Sequence, residues 1–221
     1  MRTLRSLAFN FCLSTFLFLV DVPVSAQSAT AGPGKLEVGV FPLGGTFFVG
    51  GDDNKEVDFN VYSFGANMSY YVTERAAVDG EFGVGLGLAQ DVVFNNRNVS
   101  HGQMPHLWSY AANVVLFPGG TKGKHAPYYV TAGVGALSLQ PRLLTKQFGY
   151  DVGATGLQTF MAENLGGGVK IFRDAAPEWG FRADYRYLIV NAKDDAPAFF
   201  AKTKGRGGHR VTFGVLYTWK K

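Results

Sequence analysis

The stretch Val78-Asp79-Gly80-Glu81-Phe82-Gly83-Val84-Gly85-Leu86-Gly87 decides how this chain folds. Val78, Phe82, Val84 and Leu86 alternate with Asp79, Glu81, Gly83, Gly85 and Gly87. A period of two is the period of a β-strand. The two faces of this strand are unlike: one is large and apolar, the other acidic or bare. A soluble barrel would turn the apolar face inward and wet the acidic one. A membrane barrel inverts that arrangement.

The same pattern runs outward in both directions. Period-two faces predict strands at about 35–49, 57–73, 76–91, 106–118, 126–140, 158–173, 179–191 and 209–219. The seventh carries Trp179, Phe181, Ala183, Tyr185, Tyr187 and Ile189 on one face, with Arg182, Asp184 and Arg186 on the other. The connections alternate in length. Residues 73–75, 118–125 and 174–178 are short or turn-rich, whereas 50–56, 92–105, 141–157 and 192–208 are longer or more polar. In an up-and-down sheet the short turns then share one end and the long loops the other. The expected fold class is all-β, an antiparallel up-and-down eight-stranded transmembrane β-barrel.

Three features favour the inverted closure. The glycines gather on the charged face, and a narrow barrel needs tiny residues inside beside its large ones. Tyr70, Trp108, Tyr110, Tyr128, Trp179, Tyr217 and Trp219 stand near strand ends, as two interfacial aromatic girdles require. The charged face is also nearly balanced: Glu37, Asp79, Glu81 and Asp184 against Lys170, Arg182 and Arg186. A closed lumen demands such pairing, because a buried lone charge is costly. These seven residues are expected to form a charge network that plugs the lumen.

Residues 1–26 read as a secretory signal peptide. Arg2 and Arg5 precede an apolar run over 7–20, and Val24-Ser25-Ala26 offers a small-residue exit. The run is shorter than the roughly 20 residues of a spanning helix. Residues 27–34 are expected to be a loose leader, and 35–221 the barrel domain. Cys12 falls in the signal segment, so the exported part would have no cysteine and no disulfide. The chain's 29 glycines in 221 residues show no Gly-X-Y period, which excludes collagen, and its aromatic and β-branched content argues against disorder. The net charge of +4 becomes +3 without Arg2, Arg5 and Asp21. That is too mild and too dispersed to point to nucleic acid.

Pro127-Tyr128-Tyr129-Val130-Thr131-Ala132-Gly133-Val134-Gly135 and Arg210-Val211-Thr212-Phe213-Gly214-Val215-Leu216-Tyr217-Thr218-Trp219 carry a resemblance. They resemble the small eight-stranded outer-membrane barrels of the OmpA-like and opacity-protein superfamily. The resemblance implies a Gram-negative-type cell outer membrane, surrounding lipid and lipopolysaccharide, and a monomer. It also implies that strand 209–219 is read by the barrel-assembly machinery.

Chemistry is sparse. His101, His106, His125 and His209 show no metal-ligand spacing, so no metal and no cofactor is expected. Ser100-His101 would be needed for a lipid-modifying barrel enzyme, but chain neighbours point apart and no acid supports them. Gly166-Gly167-Gly168 lacks the Lys-Ser/Thr of a phosphate loop. The expectation is a non-enzymatic barrel with a structural or interaction role. A narrow pore for small solutes is one alternative. An adhesin acting through loops that carry 95–98, Asp194-Asp195 and Phe199-Phe200 is another, and a soluble lipocalin-like binder is the rival of a different class.

Overall fold

The computed structural model describes residues 31–49, 58–94, 97–124, 126–140, 157–173, 176–191 and 204–219. The expected signal segment 1–26, residues 27–30 of the leader and the loop residues Asp194, Asp195, Phe199 and Phe200 lie outside the described residues.

Ten strands follow one another: β1 Leu36–Phe48, β2 Phe59–Tyr71, β3 Ala76–Gly87, β4 Ala89–Phe94, β5 Arg97–Gln103, β6 His106–Leu116, β7 Tyr128–Gln140, β8 Gln158–Arg173, β9 Ala176–Asn191 and β10 Lys204–Thr218. Eight of them close into a barrel in the order β1-β10-β9-β8-β7-β6-β3-β2, every neighbouring pair antiparallel. Closure pairs the last strand with the first and leaves no edge unbonded, which hydrocarbon surroundings require.

The strands are strongly staggered. Paired residues lead once around the barrel from Leu36 through Tyr70, Val78, Val114, Ala132, Leu165, Tyr187 and His209 to Phe47. Phe47 lies eleven residues beyond Leu36 on the same strand. Such a shear tilts the strands against the barrel axis and sets the width of the interior.

Two expectations are corrected. The third strand does not run unbroken over 76–91. It leaves the barrel wall after Gly87, and β4 and β5 form a separate two-stranded hairpin inside what reads as a loop over 92–105. A membrane needs only about 9–11 residues per strand, so the surplus pairs with the returning chain instead. The Gly87 amide donates to His106 Nδ1 and the Met104 amide to the Leu88 carbonyl, at 3.1 and 3.2 Å, which closes the base of the hairpin. The last strand also starts at Lys204, five residues before the expected 209, and its extra residues pair with the loop end of β9.

The described part of the leader is not loose. Ala31 is buried among Tyr71, Phe117, Tyr129 and Leu216. The Gly34 amide donates to the Tyr71 carbonyl at 2.8 Å, and the Thr121 hydroxyl reaches the Ala31 carbonyl at 3.0 Å. Gly34 has a φ of 76°, a conformation that favours glycine, where the chain turns from the barrel floor into β1.

Strand β1 changes faces part-way. Glu37 and Phe41 are buried, then Thr46 and Phe48, so odd positions give way to even ones. The register to both neighbours slips between Val40 and Gly45. Pro42 lies in the slip. It has no N–H to give a ladder, and a bulge is where a strand tolerates proline. The Tyr62 hydroxyl donates to the Pro42 carbonyl and holds the bulge against β2.

Candidate functional site: a charged lumen between two apolar seals

Outward-facing side chains make an apolar belt. Val40, Val78, Val114, Val134, Leu165, Ile171 and Phe181 are all exposed, Leu165 at 63%. Inward-facing positions hold the charges. Glu37, Asp79, Lys170, Arg186 and Asp184 are each 5% exposed or less. A protein in water would do the reverse, since burying ionised groups while exposing aliphatic ones costs free energy on both counts. The belt is a surface for hydrocarbon.

The lumen has three layers. At the short-turn end, Ala31, Tyr71, Ala77, Val115, Phe117, Tyr129, Phe172 and Leu216 form an apolar cluster. At the loop end, Phe48, Phe59, Val61, Met104, Leu107, Leu137, Leu139 and Val190 form another. Between them lies the charge network.

Glu37, Asp79, Glu81, Lys170, Arg182, Asp184 and Arg186 are all buried. Lys170 Nζ donates to Glu37 Oε1 at 2.6 Å and to the Tyr71 hydroxyl at 2.9 Å, and that hydroxyl donates to Glu37 Oε2 at 2.7 Å. Arg182 Nη2 donates to Asp184 Oδ2 at 2.9 Å, and its Nη1 lies 3.5 Å from Asp79 Oδ2. Arg186 Nε donates to Asp184 Oδ1 at 2.9 Å, while its Nη2 lies 3.0 Å from Glu81 Oε2. Asp79 and Glu81 are on β3 and their arginine partners on β9, four strands away in a ring of eight. These pairs therefore span the lumen instead of lining one wall.

Sequence reasoning missed two buried cations on the inward face of β10, Arg206 and Arg210, of which Arg210 joins the network. Arg210 is buried and its guanidinium pairs with Glu81. With it the network holds four carboxylates and four cations. The signal was available: Arg210, Thr212 and Gly214 share a face opposite Val211, Phe213 and Val215. Also missed were the neutral groups that bond to these charges. Asn67 Nδ2 and the Ser69 hydroxyl each donate to Asp79 Oδ2 at 2.7 Å, and Asn113 Nδ2 donates to Asp79 Oδ1 at 3.0 Å. Asn164 accepts from Arg186 and donates to Asn113. The Tyr129 hydroxyl donates to Asp184 Oδ2 at 2.5 Å and accepts from Arg182 Nε. Buried charges persist when each has an opposite charge and neutral groups bonded to it, although Asn67 Oδ1 and Arg210 Nε find no hydrogen-bond partner among the described residues.

Glycine makes room for these large groups. A Cβ on Gly133 would stand 2.0 Å from Asn113 Oδ1, and one on Gly39 2.3 Å from Asn67 Oδ1. One cavity of about 20 Å³ lies between the network and the loop-side cluster, beside Thr46, Ser63, Ser109 and Arg210. It has room for about one water.

The aromatic residues divide between the two ends. Tyr70, Tyr128, Trp179, Tyr217 and Trp219 are at the short-turn end, where Tyr217 packs edge-on against both tryptophans. Trp108 and Tyr110 lie toward the loop end, where Phe82 packs against both. Tyr62, Tyr185 and Tyr187 also face outward toward that end. The Tyr185 hydroxyl lies 2.8 Å from His209 Nδ1.

The outward face is not wholly without charge. Arg173 stands on it at the turn end of β8, and Glu163 lies within the belt, paired with Val134 and Ile189 and accepting from Asn191 Nδ2 at 3.4 Å.

The histidines are apart. His101 Nδ1 lies 2.9 Å from Asp91 on the exposed β4–β5 hairpin, while His125 falls outside the described residues. Among the described residues no group of three or more His, Cys, Asp or Glu side chains could hold a metal. Among the described residues no helix is long and apolar enough to cross a membrane.

The barrel has counterparts of known structure. OprG, an outer-membrane protein of Pseudomonas aeruginosa, matches with a TM-score of 0.51 at 11% identity, over 87% of this chain and 100% of OprG. Neisserial surface protein A matches with a TM-score of 0.51 at 11% identity, over 86% of this chain and 98% of its own. The fold is that of the small outer-membrane barrels. At such identity the likeness is one of fold alone. No known family model matches the chain, and no curated protein matches it. The lipid-facing belt, the closed ladder and the two aromatic ends are what an outer-membrane barrel needs physically.

Proposed function

We propose that this protein is a non-conducting outer-membrane barrel with a structural or interaction role, not a catalyst and not an open pore. The observation that carries the reading is the layered lumen. A balanced network crosses the interior, and a cluster of large apolar side chains closes it on either side. An ion entering from either end would have to displace packed aromatic and aliphatic groups, and then separate buried ion pairs. The exported location, the surrounding lipopolysaccharide and the use of strand 209–219 as an assembly signal belong to the same proposal. The test is electrical. Purified protein in planar bilayers should give no steady single-channel current under an applied potential. Large, sustained openings would sink the reading.

A second reading concerns partners at the loop end. The β4–β5 hairpin extends the chain beyond the wall strands and carries the exposed Asp91–His101 pair. Gln90 ties it to the barrel, its amide donating to the Asn60 carbonyl and accepting from the Asn60 amide at 2.7 and 3.1 Å. A braced projection on a rigid scaffold suits surface contact. Removing residues 89–103 should abolish adhesion of cells that display the protein. Undiminished adhesion would count against this reading.

A further inference from the structure

The short-turn rim carries cations beside aromatic rings, at the edge of the lipid-facing belt. Lys124 lies in the β6–β7 turn, and its ammonium is 5.9 Å from the centre of the Tyr128 ring. Arg173 ends the neighbouring strand β8 and is exposed on the outward side, one alternation beyond the exposed Ile171. The two elements are joined there: Tyr128 pairs with Val169, and the Lys170 amide donates to the Pro127 carbonyl at 3.1 Å. Trp179 completes the shelf. It sits on β9 at the register shift opposite Arg173, between the pairings of Phe172 with Gly180 and of Arg173 with Ala176. Among the described residues, neither Lys124 nor Arg173 is in an ion pair with a carboxylate. Toward the middle of the barrel the same face continues as Val130, Ile171 and Phe181, all exposed and apolar.

We propose that Lys124 and Arg173, with Tyr128 and Trp179, bind the phosphate of an anionic phospholipid at the short-turn interface. The chemistry is that of a phosphodiester with two acyl chains. The two cations supply charge-assisted hydrogen bonds to the phosphate. The rings hold the headgroup level, and the belt accepts the chains. A lipid fits better than a free anion because the cations stand at the margin of an apolar face and not in a closed pocket. Basic side chains near a bilayer surface attract anionic lipids in this way, and salt weakens the attraction. The proposal rests on the membrane-spanning reading above.

The experiment folds the full chain into phosphatidylcholine vesicles, with and without phosphatidylglycerol. Lipid that stays bound is then read by mass spectrometry after gentle detergent release. Enrichment of phosphatidylglycerol over phosphatidylcholine by about tenfold is expected, falling toward unity in high salt. K124Q/R173Q should lose the enrichment and K124R/R173K should keep it. Folding of each variant is checked by heat-modifiable migration in a detergent gel. Equal retention of the two lipids by the unaltered protein would overturn the proposal, as would enrichment that high salt leaves intact. So would full competition by glycerol phosphate, which would make the ligand a soluble anion. Failure to insert into plain phosphatidylcholine would sink the membrane reading itself, whereas insertion without lipid preference sinks only this site.

Discussion

Lys170 and Glu37 meet at 2.6 Å although they come from β8 and β1, three strands apart around the barrel. The bond therefore crosses the interior. Both side chains are almost wholly buried, at 1% and 0% exposure. Tyr71 shares both partners, and Lys170 lies above the rings of Tyr71, Phe117 and Tyr129 at 5.1 to 5.7 Å. The apolar floor of the lumen and its ion network are thus joined through one lysine.

Removing one partner should cost far more than removing both. Lys170→Met leaves Glu37 buried and uncompensated, which costs about 3–5 kcal/mol. Replacing the pair together, as E37L/K170M, should recover most of that loss, because a buried ion pair is often no better than apolar packing. Urea unfolding of the protein folded in lipid vesicles measures both. Equal destabilisation by the single and double variants would show that the pair does not act as a unit.

The lumen should stay shut when only one seal is thinned. Met104 and Leu139 are fully buried at the loop end, and Phe117 at the turn end. M104S/L139S should give no steady current, because the ion network and the floor remain. Adding Arg186→Ala, which takes one partner each from Asp184, Glu81 and Asn164, together with Phe117→Ser, which thins the floor as well, should produce one. Current from M104S/L139S alone would mean that the central network is no barrier.

Glycine should be intolerant of replacement at Gly135 on the inner wall but not at Gly80 on the outer face. A Cβ on Gly135 would stand 1.8 Å from the Tyr110 carbonyl oxygen, whereas one on Gly80 meets nothing within 4 Å. Gly135→Val should lower the yield of the heat-modifiable folded form several-fold, by an overpacking cost of about 1–3 kcal/mol or more. Gly80→Ala should leave it unchanged. Similar yields for the two would remove close packing as the reason for the inner glycines.

The floor strap should loosen when its anchor is lost. The Thr121 hydroxyl reaches the carbonyls of Ala31 and Glu74 at 3.0 and 3.2 Å. Thr121→Val removes it at nearly constant volume and should cost about 1 kcal/mol locally. Hydrogen exchange at the Gly34 amide, which donates to Tyr71, should speed up by about fivefold while exchange in the wall strands stays unchanged. Unchanged exchange at Gly34 would mean that packing of Ala31 alone holds the strap.

Much of this protein was determined locally along the chain. A strand's two faces are set by a period of two, so Val78 and Asp79 had to point apart whatever the neighbours were. The eight wall strands, their inversion and the seven lumen charges follow from that alternation and from where glycine falls. Other features needed the closed ladder. Which carboxylate meets which cation depends on the shear, since Glu81 faces Arg186 and Arg210 only after the sheet has rolled up and staggered. The face switch in β1 at Pro42 and the escape of β4 and β5 from the wall were likewise hidden. Each is a choice between local pairings that read alike in sequence, and it is decided by what the neighbouring strand and the opposite wall leave room for.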